Sequence, residues 1–363
     1  MFFITAGILS LFIFSCKENS DIKNWEKAQG FYINNDFNHI FPEGITDDFL
    51  FSLDSYRLFL EGLSINPSLF YQKWSDVHVQ SIIDKYWKPT QKSDWKWSLA
   101  LPIFSLLENY INTFNKPIII GFSGLPGSGK STLGLWIDSV ARELSLDIKV
   151  ISLDDFYLPG QEMDVAMTGN PWNVPRGFPG SHSLDLLNQS LDVFLKTGVL
   201  NSPTFDKSLR DGKGDRSGWC DSEPRVLILE GWFVGCEAVS DLSKIDSMAA
   251  DEFNLSLSQS EKDYRILIQE SLFEYSHIWK KFDKIWHLKS SQFNNTILWK
   301  SQQEGEMIKL KGSGLKGNNL SNFIRMIQTS IPQQSVSFIN SDTTVGINQD
   351  RRINFLKTSK YYF

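Results

Sequence analysis

From about Trp25 to Tyr110 the apolar positions follow a helical, aromatic pattern, with Trp74, Trp87, Trp95 and Trp97 at irregular spacing and no strand-like alternation of any length. Aromatic clusters of this kind belong to a core. At Pro117 the rhythm changes. Short apolar runs at Ile118 to Phe122, Ile148 to Ser152, Val226 to Leu229, Lys284 to Leu288 and Ser337 to Ile339 read as strands. Between them, apolar residues recur at three/four spacing over Ser131 to Leu144, Leu184 to Lys196, Ser260 to Lys281 and Asn318 to Ile331, the signature of helices with one buried face. Strands alternating with helices predict an α/β fold built on a parallel sheet flanked by helices. The organisation expected is an apolar segment at 1–16, an α-helical extension at 17–115 and the α/β domain at 116–363.

Two stretches break the alternation. Pro159 to Ser183 and Pro203 to Pro224 are rich in Gly, Pro, Asp, Arg and Ser, and they read as long loops that bind a substrate or close over it. Glu304 to Lys316 reads as a candidate lid, and Asp350 to Phe363 as an edge segment or a tail.

Composition narrows the function classes. The 363 residues are 41% hydrophobic and 21% charged with a formal net charge of -6, which suits a soluble globular protein and gives no general attraction to nucleic acid. The three cysteines, Cys16, Cys220 and Cys236, are odd in number and far apart, so they define neither a disulfide framework nor a zinc site. A reducing, cytoplasmic setting is the economical expectation. Met1 to Phe14 is almost wholly apolar and ends at Ser15-Cys16, loosely like a lipoprotein processing site. It lacks a basic n-region and falls short of the ~20 residues of a spanning helix. A packed N-terminal helix is the first reading, membrane contact through an anchor the second, and a misassigned start the third.

Gly124-Leu125-Pro126-Gly127-Ser128-Gly129-Lys130-Ser131 fits G-x-x-x-x-G-K-[ST] at every position, follows an expected strand and opens an expected helix. Glycines let the backbone turn tightly and aim successive N–H groups inward at phosphate oxygens. Lys130 adds a point charge at the β and γ phosphates, Ser131 offers its hydroxyl to Mg²⁺, and Thr132 continues the helix N-terminus that favours an anion. The expected ligands are ATP and Mg²⁺, on a P-loop NTPase-type sheet.

Phosphoryl transfer to a hydroxyl also needs a carboxylate to accept a proton and cations to offset charge. Asp154 and Asp155 close the second strand on the edge where the phosphate loop emerges, with Asp154 the candidate base and Asp155 a metal-side or orienting partner. Glu230 ends the apolar run Val226 to Leu229 and is a second candidate for Mg²⁺, with Gly231 allowing close backbone approach. Tyr157, Arg176, His182, Asp206, Lys207, Arg210 and Arg216 lie in or beside the polar stretches, where guanidinium groups suit a small anionic substrate. His182 fits either substrate contact or a loop hydrogen bond.

Taken together, Gly121 to Thr132, Ser152 to Leu158, Asn170-Pro171, Arg176-Gly177, Gly180 to His182, Phe205 to Ser208, Gly212 to Arg216 and Leu229 to Trp232 resemble the plant and cyanobacterial type of D-glycerate 3-kinase. That family stands within a wider P-loop group with phosphoribulokinase, uridine kinase and pantothenate kinase. A weaker echo runs through Trp299 to Glu304, and Phe205 stands where tyrosine is expected. The resemblance implies transfer of the ATP γ-phosphoryl group to the 3-hydroxyl of D-glycerate, giving 3-phosphoglycerate in photorespiratory carbon salvage. It also implies Asp154 as base, Glu230 as the strand-end acid, and Arg176, His182, Lys207, Arg210 and Arg216 near substrate or phosphate. The rivals are a sibling kinase of a sugar, nucleoside or pantothenate, a GTP-driven switch suggested by Asp211 to Gly214, and a scaffold without catalysis.

Overall fold

The computed structural model describes residues 53–88, 93–245, 255–312 and 314–359. The apolar segment 1–16 and the first part of the expected extension lie outside the described residues. Eight strands are present among the described residues: β1 (Ile118–Gly124), β2 (Ile148–Ser152), β3 (Leu200–Asp206), β4 (Asp215–Ser222), β5 (Val226–Gly231), β6 (Lys284–Ser290), β7 (Thr343–Ile347) and β8 (Ile353–Thr358). Six form one sheet in the order β2-β5-β1-β6-β7-β8, and β3 pairs with β4 as a separate hairpin. All neighbours in the large sheet run parallel except β7 and β8. The adjacent interior strands β1 and β5 are buried at every residue, which is why they read as continuous apolar runs rather than alternating ones.

Helices precede and cover the sheet. The residues before it form α1 (Leu53–Gly62), α2 (Pro67–Trp74), α3 (Val77–Tyr86) and α4 (Leu101–Thr113), the last preceded by a single turn at Ser93–Trp95 and a π-helical turn at Lys96–Ala100. Asn66 and Asp76 cap α2 and α3 by accepting from backbone N–H groups of the first turn. Further on come α5 (Lys130–Glu143), α6 (Gly160–Ala166), α7 (Leu184–Thr197), α8 (Gln259–Trp279), α9 (Asn295–Lys311), α10 (Gly317–Thr329) and the short α11 (Gln333–Ser337). The preceding helices dock on α5 through aromatic side chains. Trp136 of α5 meets Trp87 edge-on at 5.4 Å and Phe104 at 6.1 Å, Phe104 in turn meets Trp74, and the Trp136 indole N–H donates to the Ile83 carbonyl. The described residues belong to one compact unit, so the helices α1 to α4 and the sheet share a core.

Four expectations change. Ser337 to Ile339 is not a strand: Ser337 ends α11, and the fifth parallel place is taken by β7, whose two threonines obscured an otherwise apolar run. Pro203 to Pro224 is mostly the β3–β4 hairpin, and β4 alternates half-buried with exposed positions along nearly all its length, which left no apolar stripe to find. Pro159 to Ser183 contains α6, and Glu304 to Lys311 belongs to helix rather than to a loop. The expected edge segment at Asp350 to Phe363 is present as the antiparallel edge strand β8.

Candidate active site

The site forms where β1, β2 and β5 end together. Register sets Glu230 opposite Phe122 on one side and Ser152 on the other, so the phosphate loop, the acidic pair and the strand-end glutamate leave the sheet at one edge. Gly124 to Thr132 joins β1 to α5. Gly127 and Gly129 hold φ of 74° and 107°, in the left-handed region. A Cβ on Gly127 would meet the Trp299 carbonyl carbon at 2.6 Å, and one on Gly129 would meet the Trp95 ring at 3.1 Å. The loop is braced from outside by Thr296, whose hydroxyl donates to the Pro126 carbonyl, and by Arg351, whose Nε donates to the Gly127 carbonyl. Leu125 and Ser128 are buried beneath it. Lys130 opens α5, donates to the Leu125 carbonyl at 3.1 Å and is buried, and that burial lowers its pKa despite Glu230 and Asp154 nearby.

The Ser131 hydroxyl donates to Glu230 Oε1 at 2.8 Å. One hydroxyl beside one buried carboxylate, at the mouth of a phosphate cradle, fits a small hard cation that arrives with phosphate oxygens and water. Among the described residues no group of three or more His, Cys, Asp or Glu side chains is placed to hold a metal by itself.

A cavity of about 870 Å³ opens over this edge and takes in Lys130, Ser131, Asp154, Tyr157, Lys207 and Glu230. Asp154 sits in the 3-10 turn after β2, and Lys207, from the hairpin, donates to its Oδ2 at 2.6 Å. Burial pushes the Asp154 carboxyl up, but Lys207 more than offsets this and holds it below the usual carboxylate range. Lys207 answers in kind: burial pulls it down, and Asp154 raises it above its ordinary value. Tyr157 also donates to Asp154, while burial and that carboxylate raise the phenol pKa.

Several expected substrate residues make contacts within the fold. Asp155 closes a capping box, its Oδ2 accepting from the Ser152 N–H at 3.1 Å, and it accepts from the Phe205 N–H as well; burial lifts its pKa to about 6. The acidic pair thus divides, with Asp154 facing the cavity and Asp155 holding the turn to the hairpin. Asp206 accepts from the N–H and hydroxyl of Ser208 in an Asx turn. Arg210 pairs with Asp164 of α6, and Arg216 donates to the Tyr157 carbonyl at 3.2 Å and lies over the Trp219 ring. His182 is buried: its Nδ1 meets the Tyr275 hydroxyl at 2.7 Å, its ring stacks on Tyr157 at 4.4 Å, and burial lowers its pKa to about 4. Arg176 does line the cavity, and its Nη1 donates to the Gly212 and Lys213 carbonyls, fixing the hairpin tip.

Sequence reading missed Lys300. It enters the cavity from α9, is paired with Glu304 one turn on at 2.5 Å, and burial lowers its pKa. The apolar positions of α9 are spread around the helix, so no period announced it. The i,i+4 Lys-Glu spacing was its one signal.

No family model matches the chain. The uncharacterized kinase mug58 of Schizosaccharomyces pombe is 31% identical over 242 residues, covering 64% of this chain and 84% of that protein. The chloroplastic D-glycerate 3-kinase of Arabidopsis thaliana is 27% identical over 246 residues, covering 62% of this chain and 51% of that protein. Among solved structures, D-glycerate 3-kinase from Cryptococcus neoformans superposes with a TM-score of 0.58 at 23% identity over 78% of this chain and 99% of that one, a likeness of fold.

Proposed function

Because the chain belongs to the P-loop kinases of the glycerate 3-kinase type, and is an ATP-dependent small-molecule kinase, we propose that it phosphorylates D-glycerate at the 3-hydroxyl to give 3-phosphoglycerate. The observation that carries this reading is the Asp154–Lys207 pair, set at the same sheet edge as the phosphate loop in a cavity with further cations. Glycerate offers a carboxylate for cations and a primary hydroxyl for Asp154. The cations on the cavity wall that would meet the carboxylate are Lys300 of α9, which would share itself with Glu304, Lys213, which would share itself with Asp164, and Lys316.

In the transfer, the 3-hydroxyl donates its hydrogen bond to Asp154. A bond forms between its oxygen and the γ-phosphorus, the bond from that phosphorus to the β,γ-bridging oxygen breaks, and the hydroxyl proton passes to Asp154. A carboxylate held at low pKa is a weak base, which suits a loose transition state in which the proton leaves late. Tyr157 and Lys207 orient the carboxylate, while Lys130 and the N–H groups of Gly127 to Thr132 meet charge on the phosphates. Mg²⁺, held by Ser131 with Glu230 behind it, would neutralise the β and γ oxygens. A cytoplasmic location, the economical reading of the cysteine usage, and a role in photorespiratory salvage, which the resemblance implies, complete the proposal.

A coupled ADP-release assay with ATP and Mg²⁺, offering D-glycerate, L-glycerate, uridine, pantothenate and fructose in turn, tests it. The expected outcome is turnover of D-glycerate with the product's phosphorus coupled to C3 in the NMR spectrum. Turnover of another acceptor alone would replace the substrate while leaving the kinase in place.

A further inference from the structure

Asp154 accepts a hydrogen bond from Tyr157 as well as from Lys207, and Tyr157 is the first of a row of buried rings that leads away from the cavity. The backbone brings the first two rings together. The Leu158 N–H donates to the Ser181 carbonyl at 3.0 Å and the Ser183 N–H to the Phe156 carbonyl at 2.8 Å, so Tyr157 and His182 face one another as the non-hydrogen-bonded pair of a short antiparallel bridge. In such a pair the side chains approach most closely. The imidazole accordingly lies on the Tyr157 ring with centroids 4.4 Å apart, and Phe205 meets the same phenol edge-on at 5.1 Å.

The outer end of the row fixes the imidazole. Its Nδ1 meets the hydroxyl of Tyr275, on α8, at 2.7 Å, and Phe233 packs edge-on against both rings. Nε2 is buried without a hydrogen-bond partner among the described residues. A carbon ring would fill the same space without stranding that nitrogen, so what histidine adds here is Nδ1, which fixes the rotation of the ring against Tyr275. Of Tyr157, His182 and Tyr275, only Tyr157 borders the cavity, and the other two reach the site through it.

We propose that His182 is a positioning residue: anchored by Tyr275, it sets the Tyr157 ring so that the phenol hydroxyl meets Asp154. The proposal rests on reading Asp154 as the base of phosphoryl transfer. Steady-state kinetics of the full chain with Mg²⁺, ATP and D-glycerate, or whichever of the five acceptors it phosphorylates, tests it through a double-mutant cycle. Tyr157→Phe removes the hydroxyl and is expected to lower kcat about tenfold with the KM for ATP little changed. His182→Leu removes the stacked face and is expected to lower kcat about fivefold or more, while His182→Phe restores a face and brings kcat to within about threefold of wild type. Tyr275→Phe keeps the packing, gives up the bond to Nδ1, and is expected to lower kcat about threefold. In the Tyr157→Phe background neither His182→Leu nor Tyr275→Phe is expected to lower kcat further, because the hydroxyl they place is already gone. If His182→Leu fails to fold, the Tyr275→Phe cycle decides. Losses that multiply in the double variants, an unchanged kcat in both His182→Leu and Tyr275→Phe, or a defect carried by the KM for ATP would overturn the proposal. Asp154→Asn turning over at the wild-type rate, or a wild-type chain that phosphorylates none of the acceptors, would instead defeat the reading of the base, and the proposal with it.

Discussion

The Lys207 ammonium lies 2.6 Å from Oδ2 of Asp154, joining two residues 53 positions apart in the chain that follow strands of different sheets. The pairing holds Asp154 ionised in a place where burial favours its neutral form. Lys207→Met removes the offset and leaves the burial. The acid limb of the kcat/KM profile is therefore expected to move up by about one pH unit or more, and an unmoved limb would take the base role from Asp154.

Asp154→Asn keeps the shape and loses the proton acceptor. Steady-state kinetics should show kcat lowered by about 10²- to 10³-fold with the KM for ATP little changed. Asp155→Asn is the contrast: it disturbs a cap rather than the cavity, so its effect is expected in thermal stability, about 1 kcal/mol, more than in turnover.

Lys130→Ala removes the buried cation of the phosphate loop. Turnover is expected to fall by about 10³-fold or more with the far-UV circular dichroism spectrum unchanged. Activity near the wild-type level would mean that the loop does not bind the transferred group.

Gly127→Ala and Gly198→Ala separate backbone strain from site geometry. Both glycines have positive φ, but a Cβ on Gly127 strikes Trp299 and one on Gly198 meets nothing within 4 Å. Gly198→Ala should cost about 1 kcal/mol and leave ATP binding intact. Gly127→Ala should cost more and abolish ATP binding, since neither the loop nor α9 can move aside without the other.

Acid should destabilise the fold. Burial lowers the pKa of His182 to about 4 and of His287 to about 3, so between pH 6.5 and those values the unfolded chain takes up protons that the folded imidazoles refuse. Asp155 works in the opposite sense, its raised pKa contributing stability below the unfolded carboxyl value that is lost as pH rises through about 6. Two histidines against one aspartate leave a net loss of roughly 2–3 kcal/mol from pH 7.5 to 5. Urea unfolding at the two pH values measures it, and His182→Asn should shrink the difference.

The parts of the site that could be read from sequence are those whose neighbours are close in the chain. The phosphate loop is a contiguous motif, and Asp154 and Glu230 stand at strand ends that an apolar run announces. The roles of Asp155, Asp206 and Arg210 were hidden because each is decided by its partner: the Ser152 and Phe205 N–H groups, the Ser208 turn, and Asp164 of α6. A carboxylate that caps and one that faces substrate are the same letter. The β3–β4 hairpin was missed for another reason, since a two-stranded ribbon half open to solvent needs few apolar residues, and polar composition is what a loop also has.

That hairpin shares no strand with the six-stranded sheet, yet it delivers Lys207 to Asp154 and, through Arg176, the tip that borders the cavity. The phosphate loop and the cation that pairs with Asp154 therefore sit on separate pieces of polypeptide. On the proposed reading, a different ribbon between α7 and β5 would change the partner of Asp154 while the strand pairing of the six-stranded sheet stays as it is, so this is one place where diversification can occur.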